Sequence, residues 1–307
     1  MAGVKAGEVL NGVWCPALMP LDAELEPDVG EFVDHCRWAL DEGCHGLVMF
    51  GTTGEANSFS VEERVRVLDA AIDAGLPADR MMVGTGCAAL PDTVQLTRHA
   101  VDRGVLGILM LPPFYYKGAS DTALAASYDR VIEGVGTDEF RLVLYHIPGV
   151  SGVPITPELV DLVAERHPRT LAGIKDSTGD WDHSKMLIER FPDLAVFPGA
   201  ENLVAAGLEA GGAGCISAGC NVNASAIRGL YDAALRGDDV TERHADVERI
   251  RLILQRYALI PAMKQMIADA KGDPGWTRLR PPLMSLSEVD AKALATDLAD
   301  LDFRLAA

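Results

Sequence analysis

Eight short apolar runs recur along the chain and alternate with amphipathic segments, and this rhythm limits the possible folds more than any other feature. The runs are GVWCPAL (12–18), GLVMF (46–50), MMVGTG (81–86), GILML (107–111), LVLYH (142–146), LAGIK (171–175), LAVFP (194–198) and GAGCIS (212–217). Runs that are apolar at successive positions fit strands covered on both faces, the environment of a parallel sheet flanked by helices. The intervening segments carry helix signals. SVEERVRVLDAAIDAG opens with Ser60 and Glu63 at capping-box spacing and closes on Gly75, and ITPELVDLVAER offers Thr156 as N-cap with Pro157 as first helical residue. Eight such units without the composition break of a linker predict an α/β chain folded as a (β/α)₈ TIM barrel rather than a doubly wound sheet.

The chain continues well past the eighth run. ASAIRGLYDAALRGD, VTERHADVERIRLILQRYALIPAMKQMIADAKG and SLSEVDAKALATDLADLDFRLAA read as helical, broken at GDPGW and RPPL. We therefore expect a catalytic barrel over residues 1–224 and a C-terminal helical segment over 225–307 packed on it.

Charge and composition exclude several classes of function. A net charge of −18, from 27 basic and 45 acidic residues, argues against nucleic acid or an anionic membrane as partner. No apolar run approaches the ~20 residues of a membrane span, and MAGVKAGEVLNG has no signal-peptide core, so a cytoplasmic protein is expected. The six cysteines form no C-x-x-C pair, and the seven histidines show neither H-x-H nor H-x-x-x-H spacing, so no metal site is expected.

In such a barrel, chemistry sits where strands end and loops begin. Lys175 ends the sixth run. An ammonium in a barrel mouth loses hydration, which favours the neutral amine able to attack a carbonyl, although pairing with Asp176 would equally explain a lysine there. Tyr145 ends the fifth run, one strand away, where a phenol can move protons or simply pack. The loop FGTTGEANSFS offers Gly51 and Gly54 for close backbone approach, and Thr52 and Thr53 for holding a carboxylate. Tyr115, Tyr116 and Lys117 lie in a Pro-stiffened loop suited to covering a site or meeting a neighbouring subunit.

In this order the segments GTTGEA (51–56), GTG (84–86), PPFYYKG (112–118), YHIPGVSGV (145–153), GIKDSTGD (173–180), FPGAE (197–201) and GAGCISAGCNV (212–222) resemble one family. It is the dihydrodipicolinate synthase and N-acetylneuraminate lyase superfamily of Schiff-base-forming class I aldolases. The resemblance implies that Lys175 forms an imine with a 2-keto acid, that Tyr145 shuttles protons, and that Thr53 links Tyr145 to Tyr115 of an adjacent subunit. It implies that Gly51, Thr52 and Thr53 hold the substrate carboxylate, and that Gly199, Ile216, Ser177 and Glu201 line the pocket, with Asn202 beside Glu201 positioned for sugar hydroxyls. It further implies no cofactor beyond the covalent imine, small-molecule 2-keto acid and aldehyde partners, and a homo-oligomer built as a dimer of dimers.

Departures from the family pattern bear on the substrate. Where synthases that use aspartate semialdehyde carry an arginine for its distal carboxylate, the alignment of YHIPGVSGV places Val150, which cannot make a bidentate charge-assisted contact. The SGV ending resembles the lyase branch, and His146 replaces an asparagine common beside the tyrosine. The expected activity is reversible cleavage of a 2-keto-3-deoxy sugar acid or related 4-hydroxy-2-keto acid to pyruvate and an aldehyde. Its alternatives are 4-hydroxy-tetrahydrodipicolinate synthase, a keto-deoxy sugar acid dehydratase using the same imine, and a non-catalytic barrel that binds a keto acid.

Overall fold

The structure is a computed structural model that describes residues 9–305. The first eight residues of the N-terminal stretch read above for a signal peptide, and residues 306 and 307, lie outside the described residues. Eight parallel strands run β1 (Gly12–Pro16), β2 (Gly46–Met49), β3 (Met81–Gly84), β4 (Gly107–Met110), β5 (Leu142–His146), β6 (Leu171–Asp176), β7 (Ala195–Pro198) and β8 (Gly214–Ile216). They are ordered β7-β6-β5-β4-β3-β2-β1-β8, and a hydrogen bond from Ala213 N to Val196 O (2.9 Å) draws β8 against β7. The sheet therefore curls into the expected (β/α)₈ TIM barrel.

Helices follow the strands: α1 (Val29–Asp41), α2 (Val61–Asp73), α3 (Leu90–Asp102), α4 (Asp121–Val135), the single turn α5 (Pro148–Ser151), α6 (Pro157–Arg166), α7 (Trp181–Arg190) and α8 (Val204–Glu209). Their starts obey the sequence signals. Ser60 and Glu63 form the reciprocal capping box of α2, and Thr156 caps α6 just ahead of Pro157.

Two cores result from the strand alternation. Trp14, Val48, Met82, Leu109, Val143 and Phe197 fill the barrel, while a larger layer between strands and helices includes Met49, Ile108, Leu144 and Ile174. Between β5 and β6 the register shifts after Leu142, which pairs with Leu171, so that Val143 faces Gly173 and Tyr145 faces Lys175. Side chains alternate in a regular strand, so Leu171 and Lys175 would share a face. The extra residue, Ala172, changes that: Leu171 packs outward and Lys175 is delivered to the interior with Tyr145.

The C-terminal helices are α9 (Cys220–Arg236), α10 (Thr241–Leu254), α11 (Leu259–Lys271) and α12 (Glu288–Ala299). The boundary expected between 224 and 225 falls inside α9, one residue after Asn223, whose backbone (φ −145°, ψ 35°) leaves the helical region. The stretch 240–272, read as one helical segment, is two helices. Pro261 cannot donate to a helix running in from Leu254, and the chain restarts at Leu259 so that the proline sits in a first turn. These helices share a core with the barrel: Leu18 and Val222 pack with Ile253, Met263, Ile267 and Trp276. No helix among the described residues is long and apolar enough to cross a membrane.

Candidate active site

Lys175 and Tyr145 stand side by side at the barrel mouth, both buried, with the lysine Nζ 4.4 Å from the centre of the phenol ring. Their proximity follows from the β5–β6 register, in which the two residues are direct partners. The phenol oxygen lies 3.1 Å from Thr52 Oγ1, delivered by the loop after β2. That loop is bracketed by two non-glycine residues in the left-handed region, Phe50 (φ 55°) and Glu55 (φ 54°). Such backbone costs on the order of 1–3 kcal/mol per residue and persists only where surroundings enforce it.

The glycines of this loop serve different ends. A Cβ on Gly54 would stand 2.7 Å from Ala17 O, so this glycine lets the loop press against the chain leaving β1. A Cβ on Gly51 would meet nothing within 4 Å, and Gly51, expected from sequence at the carboxylate, is not among the residues that line the Lys175 cavity.

Thr52, and not Thr53, makes the hydrogen bond to Tyr145. The link assigned to Thr53 from sequence is corrected in this respect: successive loop residues direct their side chains differently, and only the first threonine reaches the phenol. Thr53 is buried and lines the same cavity. Tyr115 is 73% exposed, packs edge-on against Tyr116 at 5.3 Å, and does not line the cavity of its own chain.

The cavity has a volume of about 640 Å³. Its inner end is polar, formed by Thr52, Thr53, Tyr145, Lys175 and Ser177. Gly199 sits so close that a Cβ there would lie 2.5 Å from Ser177 Oγ and 3.0 Å from Asp176 O, which explains why a glycine follows β7 at this point. Ile216 from the end of β8 contributes apolar surface. Glu201 is buried and accepts hydrogen bonds on one carboxylate oxygen from Ser217 Oγ and from Arg251 Nη1 (3.0 Å). Asn202, its neighbour, does not line the cavity, and its Oδ1 is buried without a hydrogen-bond partner.

Three features of the site were not read from the sequence. Ser217 and Arg251 complete the polar network on Glu201, and Arg251 arrives from α10, fifty residues beyond its partner, with no local motif to mark it. Lys264 is fully buried in α11 and pairs at 2.5 Å with the equally buried Glu55 of the GTTGEA loop. Burial pushes the Glu55 carboxyl up and the Lys264 ammonium down from their ordinary values, while each partner opposes the shift of the other.

The third feature is a cluster of His146, Asp176 and His183 behind the strands. Its two imidazoles stack at 4.8 Å with ring planes 19° apart. Nitrogens of both rings and a carboxylate oxygen of Asp176 lie within 4.8 Å of one another, a metal-ligand set that the histidine spacing in the sequence did not announce. His146 Nδ1 accepts from Ile155 N (2.9 Å), whereas Asp176 accepts from Ser184 and Thr178 and meets His183 Nδ1 at 3.1 Å. The cluster thus anchors the residue that follows Lys175. Burial lowers the His146 pKa from its ordinary value, with Asp176 opposing the shift.

A buried amine beside a phenol and a hydroxyl, at the polar end of a cavity, is an arrangement suited to carbonyl chemistry. Comparison with known proteins places it. Residues 10–301 match the model of the dihydrodipicolinate synthetase family. The chain belongs to the dihydrodipicolinate synthetase family. An uncharacterized DapA-like lyase of Chloroflexus aurantiacus is 38% identical over 285 residues, covering 92% of this chain and 94% of the relative. Among solved structures, dihydrodipicolinate synthase from Agrobacterium tumefaciens superposes with a TM-score of 0.86 at 30% identity, covering 94% of this chain and 99% of the other. YagE, a prophage protein of the same family from E. coli K12 solved in complex with pyruvate, gives 0.85 at 25% identity, covering 95% and 98%. The protein is accordingly a lyase of the dihydrodipicolinate synthetase family, and its C-terminal helices lie within the family match.

Proposed function

We propose that this family member is a class I aldolase that forms an imine between Lys175 and the keto carbon of pyruvate, and that it cleaves 4-hydroxy-2-keto acids, the class that takes in the 2-keto-3-deoxy sugar acids. The observation that carries the reading is the buried Lys175 amine 4.4 Å from the Tyr145 ring, with Tyr145 bonded to Thr52. The relative solved with pyruvate supports the choice of keto acid.

In the cleavage direction the Lys175 amine adds to the C2 ketone, and water leaves with protons relayed through Tyr145. The resulting iminium withdraws electrons from the bond between C3 and C4. As that bond breaks, its electron pair becomes an enamine and the C4 hydroxyl gives its proton to the Tyr145 oxygen, which passes its own toward Thr52. Protonation at C3 and hydrolysis then release pyruvate and free the lysine. The backbone N–H groups and hydroxyls of the loop 51–54 suit the pyruvate carboxylate. Tyr115, exposed on its own chain, would complete the relay in a neighbouring subunit of a homo-oligomer. No cofactor enters this scheme.

The relation to the Agrobacterium synthase favours a second reading, condensation of pyruvate with aspartate semialdehyde. Against it stands Val150, 67% exposed on α5 at the position expected for the carboxylate-gripping arginine.

Borohydride reduction in the presence of pyruvate, followed by intact and peptide mass spectrometry, tests the proposal. A pyruvyl adduct confined to Lys175, and absent from Lys175→Met, is expected. Folded protein that gives no adduct under conditions of turnover would overturn it.

A further inference from the structure

The cavity is much larger than a three-carbon acid needs, and its two ends differ in chemistry. Beyond the polar end at Lys175, the outer chamber is walled by Ile147 and Val150 on one side, Leu259 and Ile260 from α11 on another, and Leu283 and Met284 from the segment after RPP. Three of these are markedly exposed, Val150 at 67%, Leu259 at 42% and Met284 at 73%. They converge on one opening, whereas singly exposed apolar side chains are scattered on ordinary surfaces.

Arg251 and Glu201, the charged pair of the outer chamber, are already engaged with each other. Glu201 accepts from Ser217 and from Arg251 Nη1. With its amide oxygen turned toward the guanidinium, Gln255 accepts from Arg251 Nη2 and Nε at 3.2 and 3.3 Å. A polyol would have to compete with these bonds for its hydroxyls, and the second residue positioned by sequence for sugar contacts, Asn202, lies outside the cavity. A distal carboxylate fares no better, because the one arginine of the cavity lining is neutralised by Glu201. Burying hydroxyls without partners is unfavourable, and burying an apolar group there is not.

From this geometry we infer that the aldehyde partner carries an apolar substituent, so that the enzyme acts on 4-hydroxy-2-keto acids with a hydrophobic group on C4. The inference rests on the pyruvate-imine reading above and names the substrate class of that same site. The substrate carboxylate and keto group lie at the Thr52, Thr53 and Lys175 end. The C4 hydroxyl falls near Tyr145, and the substituent on C4 extends between Leu259 and Met284. Cleavage breaks the bond between C3 and C4, leaves the electron pair on the enamine, and transfers the hydroxyl proton to Tyr145. The products are pyruvate and the apolar aldehyde, and no oxidant or further reactant is needed.

The test compares pyruvate release from 4-hydroxy-2-oxo-4-phenylbutanoate and from 2-keto-3-deoxygluconate, alongside consumption of aspartate semialdehyde with pyruvate. A kcat/KM at least tenfold higher for the phenyl compound is expected, in the range that apolar pockets discriminate. Leu259→Asn should lower that value about fivefold or more, mostly through KM, while the rate of borohydride trapping with pyruvate alone stays within twofold. Equal or better turnover of the sugar acid or the semialdehyde, with the pyruvate adduct still formed, would overturn the inference and leave the imine reading intact. No adduct at all would remove both. Loss of trapping in Leu259→Asn, or an equal loss with every substrate, would also overturn the inference, since a contact with the C4 substituent cannot act on pyruvate alone.

Discussion

Removing the Lys264 ammonium probes how the loop that carries Thr52 and Thr53 is held. Lys264→Met keeps most of the side-chain stem and deletes the charge that sits 2.5 Å from Glu55, with both side chains fully buried. The variant also loses the bond from Lys264 Nζ to Arg278 O (2.9 Å). Stranding one member of a buried ion pair costs about 3–5 kcal/mol. Glu55 can limit that cost by taking up a proton, at about 1.4 kcal/mol per pH unit above its pKa. Burial already raises its pKa from 4.5, and Lys264 is the main influence pulling it back, so the variant carboxyl moves higher still.

The sign of the pH effect follows. Between the unfolded and folded pKa values, folded Glu55 holds a proton that unfolded Glu55 has released, and stability falls as pH rises. Wild type levels off once pH passes its own folded value, and the variant continues to fall up to its higher one. The deficit of Lys264→Met therefore widens with pH across that interval and then becomes constant. Urea unfolding at fixed protein concentration from pH 5 to 8 measures it. Glu55→Gln/Lys264→Met removes the titrating group, so its deficit should be smaller and should not widen with pH. A Lys264→Met deficit below about 1 kcal/mol at every pH in this range would refute the reasoning, because a stranded buried carboxylate must either cost several kcal/mol or titrate. The KM for pyruvate should rise in the single variant more than kcat falls, since the pair supports the loop and does not touch the reacting atoms.

Other variants separate the roles of individual groups. Thr52→Val removes the hydroxyl bonded to Tyr145 and should lower kcat by about 10²-fold or more, the scale of proton-transfer catalysis, whereas Thr53→Val should act chiefly on KM; steady-state kinetics with a 4-hydroxy-2-keto acid distinguishes them. Gly199→Ala drives a Cβ to 3.0 Å from Asp176 O, where backbone must yield, and should cost about 1–3 kcal/mol of stability in denaturant unfolding. The Arg280 guanidinium holds the Glu63 carboxyl below its ordinary value, so that pair stabilises the fold above about pH 4.5 and the stabilisation disappears as pH falls through the folded value. Glu63→Gln should consequently flatten the acid limb of the stability profile. Mixed oligomers of Tyr115→Phe with Lys175→Met should recover part of the activity that each variant lacks alone, if the tyrosine serves a neighbouring subunit.

How far the site could be read in advance depended on whether its geometry is local. Strands and caps follow from patterns a few residues long: apolar runs, Ser60 with Glu63, Thr156 with Pro157, whereas the pairing of Tyr145 with Lys175 needs the register shift at Ala172. The family motifs mark the loop 51–56, yet they do not say which of two adjacent threonines faces the phenol, because that depends on a backbone with left-handed Phe50 and Glu55 that no glycine announces. Arg251 and Lys264 were silent for a different reason. Each belongs to a C-terminal helix and acquires its meaning only by docking, Arg251 on Glu201 across the cavity and Lys264 on Glu55 beneath the loop. On α10 an arginine among glutamates and aspartates reads as solvated surface, and on α11 a lysine next to a glutamine gives no sign of complete burial. The C-terminal helices thus do more than cover the barrel. They neutralise one buried carboxylate in the outer chamber and another under the loop 51–56, and α11 with the segment after it supplies the apolar wall at the opening. Polar substitutions at Leu259, Ile260, Leu283 or Met284 should accordingly alter which aldehyde is accepted without abolishing trapping of pyruvate at Lys175.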